Sequence, residues 1–272
     1  MPERRRAALA VCAVVLTGAL SGCAGPGPSG PAPAPPSPAG VSLPKYHDPA
    51  PLLADVSERT RSDGGATLSV AGTLTGDAGP VPVTGDGAMR IDPAGAGAAV
   101  RLQLHTGPEG TVPRATELVR IDDRTWLRPH DAGWTEVGVA PLPPAAVADA
   151  TLATNVASGA DPLAAVTRYP DAVLVADARD TDVDGVPAVH YVLVVDLVRA
   201  IASEADPARR EALAAQQRAG VTRISAEVWL DAERHPLRGR LRTQVPGAGV
   251  LDLLIRYENW GSPVTIEPPV QS

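Results

Sequence analysis

Apolar and polar positions alternate over residues 67–75, with Leu68, Val70 and Leu74 on one face and Thr67, Ser69, Thr73 and Thr75 on the other. Period-two alternation predicts a half-buried strand. It recurs over 98–105, where Val100, Leu102 and Leu104 oppose Arg101, Gln103 and His105, and a further strand is expected over 87–91. Residues 117–121 and 125–128 flank Asp122-Asp123 as a hairpin, and 172–179 and 186–195 flank Asp184-Gly185, a strong two-residue turn signal. Three closing strands are expected over 223–230, 237–245 and 250–257. Helical signals are interleaved. Asp48-Pro49 supplies an N-cap and a proline at the first helical position ahead of Leu52, Leu53 and Val56, and Gly64-Gly65 ends that helix. Pro- and Ala-rich segments 143–154 and 162–169 read as short helices, and 196–219 as a helix restarted at Asp206-Pro207. This order predicts an α+β domain: an antiparallel sheet with helices gathered on one face.

The N-terminal 47 residues follow another logic. Residues 1–22 have a basic start, Arg4 to Arg6, an apolar run too short for a comfortable membrane span, and the ending Leu20-Ser21-Gly22-Cys23. That tetrapeptide matches the bacterial lipobox, which makes Cys23 the expected lipidation site; the alternative is an ordinary signal peptide with an incidental cysteine. Cys12 would leave with the signal, so Cys23 has no partner for an intramolecular disulfide. Two acyl chains on Cys23 would hold the protein stably on the outer face of the cell membrane. Residues 24–44 contain eight prolines with Gly, Ser and Ala, a composition suited to an extended tether rather than a core. The expected organisation is therefore a signal at 1–22, a lipidated tether at 23–47 and one folded domain at 48–272.

Composition narrows the function. The formal charge is −7, and removing residues 1–22 leaves 21 bases against 30 acids. No domain-wide basic field exists for nucleic acid or for adhesion to anionic lipid by charge alone. Among 24 bases, 23 are Arg and only Lys45 is Lys, a high-GC coding bias.

Enzymatic and metal signatures are weak. Asp180 to Gly185 copies the start of a calcium loop, yet Tyr191 stands where the bidentate Glu belongs and strands flank the segment, so a hairpin turn is expected. His47, His105, His130, His190 and His235 lack metal-ligand spacing, and neither a nucleophile elbow nor a phosphate loop is present. No catalytic residue, cofactor or metal is assigned, and the chain is not expected to be an enzyme. Arg238, Arg240 and Arg242 share one strand face, with Asp252, Arg256 and Glu258 on the next strand and Arg223, Glu227 and Asp231 on the previous one. Cross-strand pairing on a solvated face is expected, with docking of a protein or lipid headgroup as the other reading.

The exported Cys23, the tether, the element order, the run from His190 to Asp196 after Asp184-Gly185, and the ending from Tyr257 to Val264 together resemble actinobacterial lipoproteins of the LppX and LprG kind. Their fold is that of the lipoprotein carrier LolA. The resemblance implies a strongly curved antiparallel sheet, an incomplete barrel, with helices covering the concave face and an apolar cavity between. Leu68, Val70, Leu74, Val100, Leu102, Leu104, Ile224 and Val228 would line it. The implied ligand is an acyl lipid or glycolipid, held for transport or presentation without bond chemistry. A chain with no Phe and eight other aromatics fits an interior with room for acyl chains, and ordinary aliphatic packing explains the same composition. One covering helix would have to move to admit a long chain, and residues 145–159 are the preferred gate, with capping of a filled core as the alternative. The competing function is an envelope sensor or assembly factor that binds a protein partner.

Overall fold

The computed structural model describes residues 41–270 apart from 78, 93–97, 109, 123, 131, 140–143 and 246–247. Cys23, the signal and most of the tether lie outside the described residues.

The chain opens with helix α1 (Pro49–Asp63) and runs through strands β1 (Gly65–Gly76), β2 (Gly79–Ile91), β3 (Ala98–Thr106), β4 (Arg114–Ile121), β5 (Arg124–Pro129) and the short β6 (Thr135–Glu136). Helices α2 (Pro144–Gly159) and α3 (Ala164–Thr167) lead to β7 (Val173–Val183) and β8 (Val186–Asp196). Helices α4 (Leu197–Ser203) and α5 (Pro207–Arg218) precede β9 (Arg223–Leu230), β10 (Pro236–Val245) and β11 (Gly249–Glu258).

Local chemistry sets these boundaries. The Asp48 carboxylate accepts from the Ala50 N–H at 2.9 Å, and Gly64, at φ 78°, closes α1 in the left-handed region. Asp196 caps α4 and Asp206 caps α5, the latter accepting from both Ala208 and Arg209. In the β7–β8 hairpin Asp184 and Gly185 both have positive φ, 56° and 87°, and Asp182 accepts from the Gly185 N–H at 2.6 Å. The segment that copied a calcium loop is thus a primed two-residue turn.

The eleven strands among the described residues pair antiparallel in the order β6-β5-β4-β3-β2-β1-β11-β10-β9-β8-β7. Two meanders are fused where β1 meets β11, with Leu68 opposite Tyr257 and Leu74 opposite Leu251. Among the described residues the edges β6 and β7 do not pair with each other, so the sheet is an open half-barrel. Its curvature is visible in the packing of α2, which touches β3, β4 and β5 on one side and β10 on the other, across the intervening β2, β1 and β11. Glycine permits this bend. A Cβ on Gly87 would lie 2.0 Å from the Arg101 carbonyl oxygen, and one on Gly72 2.1 Å from that of Asp252, so neighbouring strands approach where a side chain cannot stand.

Strand β2 begins eight residues earlier than the expected 87–91. Pro80 and Pro82 obscure this in the sequence, but both lie where β2 pairs only with β1, before β3 joins at Val83, so no ladder donor is lost. The expected helix over 162–169 is reduced to one turn of α3, followed by a 3₁₀ turn at Pro170–Ala172.

The interior divides in two. Around α2, Leu68 and Val70 of β1, Val100, Leu102 and Leu104 of β3, and Leu251, Leu253 and Ile255 of β11 pack onto Leu152, Ala153 and Val156. A second cluster joins Leu52, Leu53 and Val56 of α1, Leu163 and Val166, and Leu197 of α4 to Tyr191, Leu193 and Val195 of β8 and Val228 of β9. Contact with the fold begins ahead of α1. Leu43 is buried in this second cluster, the Tyr46 N–H donates to the Tyr191 hydroxyl at 3.0 Å, and Lys45 pairs with Asp180 at 2.7 Å.

Candidate functional site

Helix α2 runs along the concave side, and a cavity lies at each of its ends. At its start, Leu74 and Val81 with Val83, Val112, Leu152 and Ala248 surround an apolar pocket of about 390 Å³. Beyond its end, Asp161 and Pro162 border a cleft of about 420 Å³ at the seam between the two clusters. Strands β1, β2 and β3 connect these regions, since Leu74 and Ala98 belong to opposite ends of that part of the sheet. Both volumes fall within the ~300–1,000 Å³ of small-ligand pockets.

The seam cleft has an apolar floor and a polar rim. Val56, Met89 and Leu163 are buried beneath it, Ile91 and Trp260 form its sides, and the exposed Arg61 and Arg168 stand at its edge. The Leu163 N–H donates to Asp161 at 3.0 Å, fixing the turn between α2 and α3. Surrounding protein atoms push the Asp161 carboxyl above its usual range, against the opposing pull of the Leu163 and Ala164 N–H groups. The Tyr257 hydroxyl donates to the Ala160 carbonyl at 2.9 Å, and burial, with Asp161 nearby, pushes that phenol well up. Trp260 is held from the other side by its indole N–H, which donates to the Pro236 carbonyl at 2.8 Å.

Helix α2 itself is lightly fastened. Arg114 pairs with Asp149 at 3.3 Å at the first pocket, and Arg120 donates to Ser158 at 2.7 Å farther along. Its buried face is mostly small: Ala150, Ala153 and Ala157 beside Leu152 and Val156.

Of the residues expected to line a cavity, Leu68, Val70, Val100, Leu102 and Leu104 are brought together, each at most 3% exposed, in the cluster with α2. Leu74 packs at the margin of that cluster and lines the first pocket. Val228, and Ile224 partly buried beside it, face the other cluster, beneath the second group of helices. Asp161, Arg61, Arg168 and Trp260 were not singled out by sequence reasoning. The Asp161-Pro162 break after an Ala-rich helix was the available signal for the first; the others converge only through the fold.

On the convex face Arg240 binds Asp252 through two hydrogen bonds of 2.9 and 2.8 Å and reaches Glu227 at 3.5 Å, the expected cross-strand pairing. Arg238 and Arg256 both bind Asp184 in the β7–β8 turn. Asp231 turns instead to His235, which also reaches Asp63 at 2.7 Å and ties α1 to the β9–β10 turn. His190 stacks on Trp229 at 4.1 Å and bonds Glu227 at 3.0 Å. Burial lowers its pKa, with Glu227 opposing. Among the described residues no His, Cys, Asp and Glu cluster forms a metal site. No described helix is long and apolar enough to cross a membrane.

These elements define an open antiparallel half-barrel with a helix in its concave side. The expected likeness is found among solved structures. The chain is similar to LprF from Mycobacterium bovis, at 16% identity over 81% of this chain and 96% of that one, with a TM-score of 0.40. It is similar to a putative outer membrane lipoprotein-sorting protein domain from Vibrio parahaemolyticus, at 10% identity over 77% and 89%, TM-score 0.29. A chain of the Pseudomonas aeruginosa MucA/MucB complex matches at 19% identity and TM-score 0.31 over 77% of this chain, which spans about half (55%) of that one. No family model matches, and neither does any curated protein. At these identities no residue role passes from those proteins to this chain.

Proposed function

We propose that this protein is an extracytoplasmic lipoprotein, anchored through Cys23, that binds a hydrophobic ligand reversibly on the concave side of its half-barrel. The observation that carries this reading is the pair of cavities at the two ends of α2, with the apolar strand faces of Leu68, Val70, Val100, Leu102 and Leu104 lying between them beneath the helix. Displacing α2 would join the cavities and expose those faces to an acyl chain. The exchange replaces apolar contacts with other apolar contacts, so its cost is small compared with opening a core to water. Each methylene that enters contributes about 0.8 kcal/mol. Small alanine side chains and, among the described residues, two polar ties to the sheet make α2 inexpensive to move, and it coincides with the gate at residues 145–159. The mechanism is burial without bond chemistry, and the protein is not assigned as an enzyme.

The close packing of Leu102 against the α2 cluster favours a second reading, a filled fold that contacts an envelope protein. Native mass spectrometry of the protein from a lipoprotein-acylating host, before and after organic extraction, separates them. A carrier shows an extractable adduct of lipid mass, diminished by Leu102→Trp. A protein without a second adduct that takes up no offered lipid would end the carrier reading and leave the partner reading.

A further inference from the structure

The seam cleft differs from the pocket at the other end of α2 in the charge at its edge. Its floor is apolar, from Val56, Met89 and Leu163, whereas Arg61 and Arg168 stand exposed at the rim. Arg61 is exposed in the last turn of α1, and the charge of Arg168 also acts on Glu204 and Asp206 from a distance, without a direct ion pair among the described residues. The other pocket also has an arginine at its edge, Arg114, but that one is committed to Asp149. Both rim arginines occupy helix C-terminal positions, Arg61 in the last turn of α1 and Arg168 directly after α3, where a cation is favourable. That accounts for a positive charge at each helix end, but it does not require both to border the same apolar cleft.

Two carboxylates, Asp92 and Asp161, also border the cleft. Asp161 accepts the Leu163 N–H and is surrounded by protein, and Asp92 has an interaction of its own. Guanidinium presents a planar fork of donors that suits a phosphate or carboxylate, and a rim position lets it remain hydrated until an anion arrives. An apolar floor of this volume beside two exposed guanidinium forks has the polarity of an amphiphile: chain inward, anion outward.

Building on the carrier reading, we infer that the ligand is an anionic amphiphile whose phosphate or carboxylate headgroup is held by Arg61 and Arg168 while its chain enters the seam cleft. The seam end of α2, not the Leu74 end, is then where the headgroup stays. In a chain of net negative charge this local pair also selects against neutral lipids of the same chain length.

The test is equilibrium dialysis of the full chain in amphipol against decyl phosphate and decyl glucoside below their micellar concentrations, with inorganic phosphate as competitor. Wild type is expected to bind decyl phosphate at least tenfold more tightly than decyl glucoside. Arg61→Gln with Arg168→Gln should remove that preference and leave glucoside binding unchanged, while Arg242→Gln on the convex face changes neither. Because both rim side chains are exposed, the variant should stay folded, with its melting temperature lowered by no more than a few degrees through loss of the two helix-terminal charges. Equal affinity for the two probes, or an undiminished preference in the double variant, overturns the headgroup assignment and leaves the carrier reading standing. Competition by inorganic phosphate at matching concentration assigns the arginines to free phosphate and overturns the amphiphile. Binding of neither probe to wild type overturns both.

Discussion

The two halves of the interior are built on opposite principles. Beneath β7, β8 and β9, short helices with aspartate caps are tied down by specific polar contacts: Tyr169 donates to Glu204 at 2.7 Å, Arg210 reaches the Glu204 carbonyl at 2.6 and 2.9 Å, and His235 joins α1 to the β9–β10 turn. Burial and the Glu204 carboxylate together raise the Tyr169 pKa to about 12, so the phenol stays a donor throughout the physiological range. In the other half a single alanine-rich helix covers the concave face with, among the described residues, two side-chain ties and a cavity at either end. One half is a platform. The other has its apolar surface covered by something that resembles a placeholder, because small side chains gain little dispersion energy per contact and lose little when replaced.

The largest test of this contrast is truncation of matched leucines. Leu193→Ala, in the platform, should cost about 3–5 kcal/mol, and Leu152→Ala, on α2 beside a pre-existing pocket, nearer 2 kcal/mol, both read from urea unfolding. Equal costs would mean that α2 is as integral as the platform helices.

A smaller effect comes from the fastenings. Asp206→Ala removes the α5 cap and should cost about 1 kcal/mol of global stability. Asp149→Asn breaks a partly exposed ion pair and should cost less than about 1 kcal/mol, yet raise amide hydrogen exchange throughout α2. Exchange that stays unchanged in α2 would remove it as the moving element.

The smallest is a pH effect confined to the platform side. His190 has a folded pKa lowered by burial, so the unfolded chain binds its proton first as pH falls. Stability should be fully present above the unfolded value near 6.5 and decline below it until the folded pKa is passed. His190→Gln should flatten the decline measured by urea unfolding between pH 7 and 5, while ligand uptake around α2 keeps its own pH dependence. An identical slope in the variant would assign the acid sensitivity elsewhere.

Much of the architecture was legible from local signals, and the exceptions have physical causes. The caps at Asp48, Asp196 and Asp206 and the Asp184-Gly185 turn are local, each set by a few neighbouring residues, and were readable for that reason. Prolines normally exclude a central strand, which hides the first half of β2 in the sequence, and only the pairing shows that Pro80 and Pro82 lie past the reach of β3. Asp180, counted as one acid of a turn, turned out to receive Ser42, Leu43 and Lys45, contacts across more than 130 residues that no local pattern announces. Of the candidate cavity wall, strand parity identified the apolar face of Leu102 and its neighbours. Parity is silent on what covers that face.

Period, capping and turn chemistry therefore determined from sequence that this is an α+β domain with an antiparallel sheet and charges outward. They act over a few residues, and the side chains themselves carry them. The tertiary structure alone decided that the sheet curls around α2, that Ile224 and Val228 face a different cluster from Leu102, and that Arg61, Asp161, Arg168 and Trp260 meet at one cleft. Those outcomes depend on strand twist, on glycines that let neighbouring backbones close up, and on where a helix returning from one sheet edge to the other comes to rest.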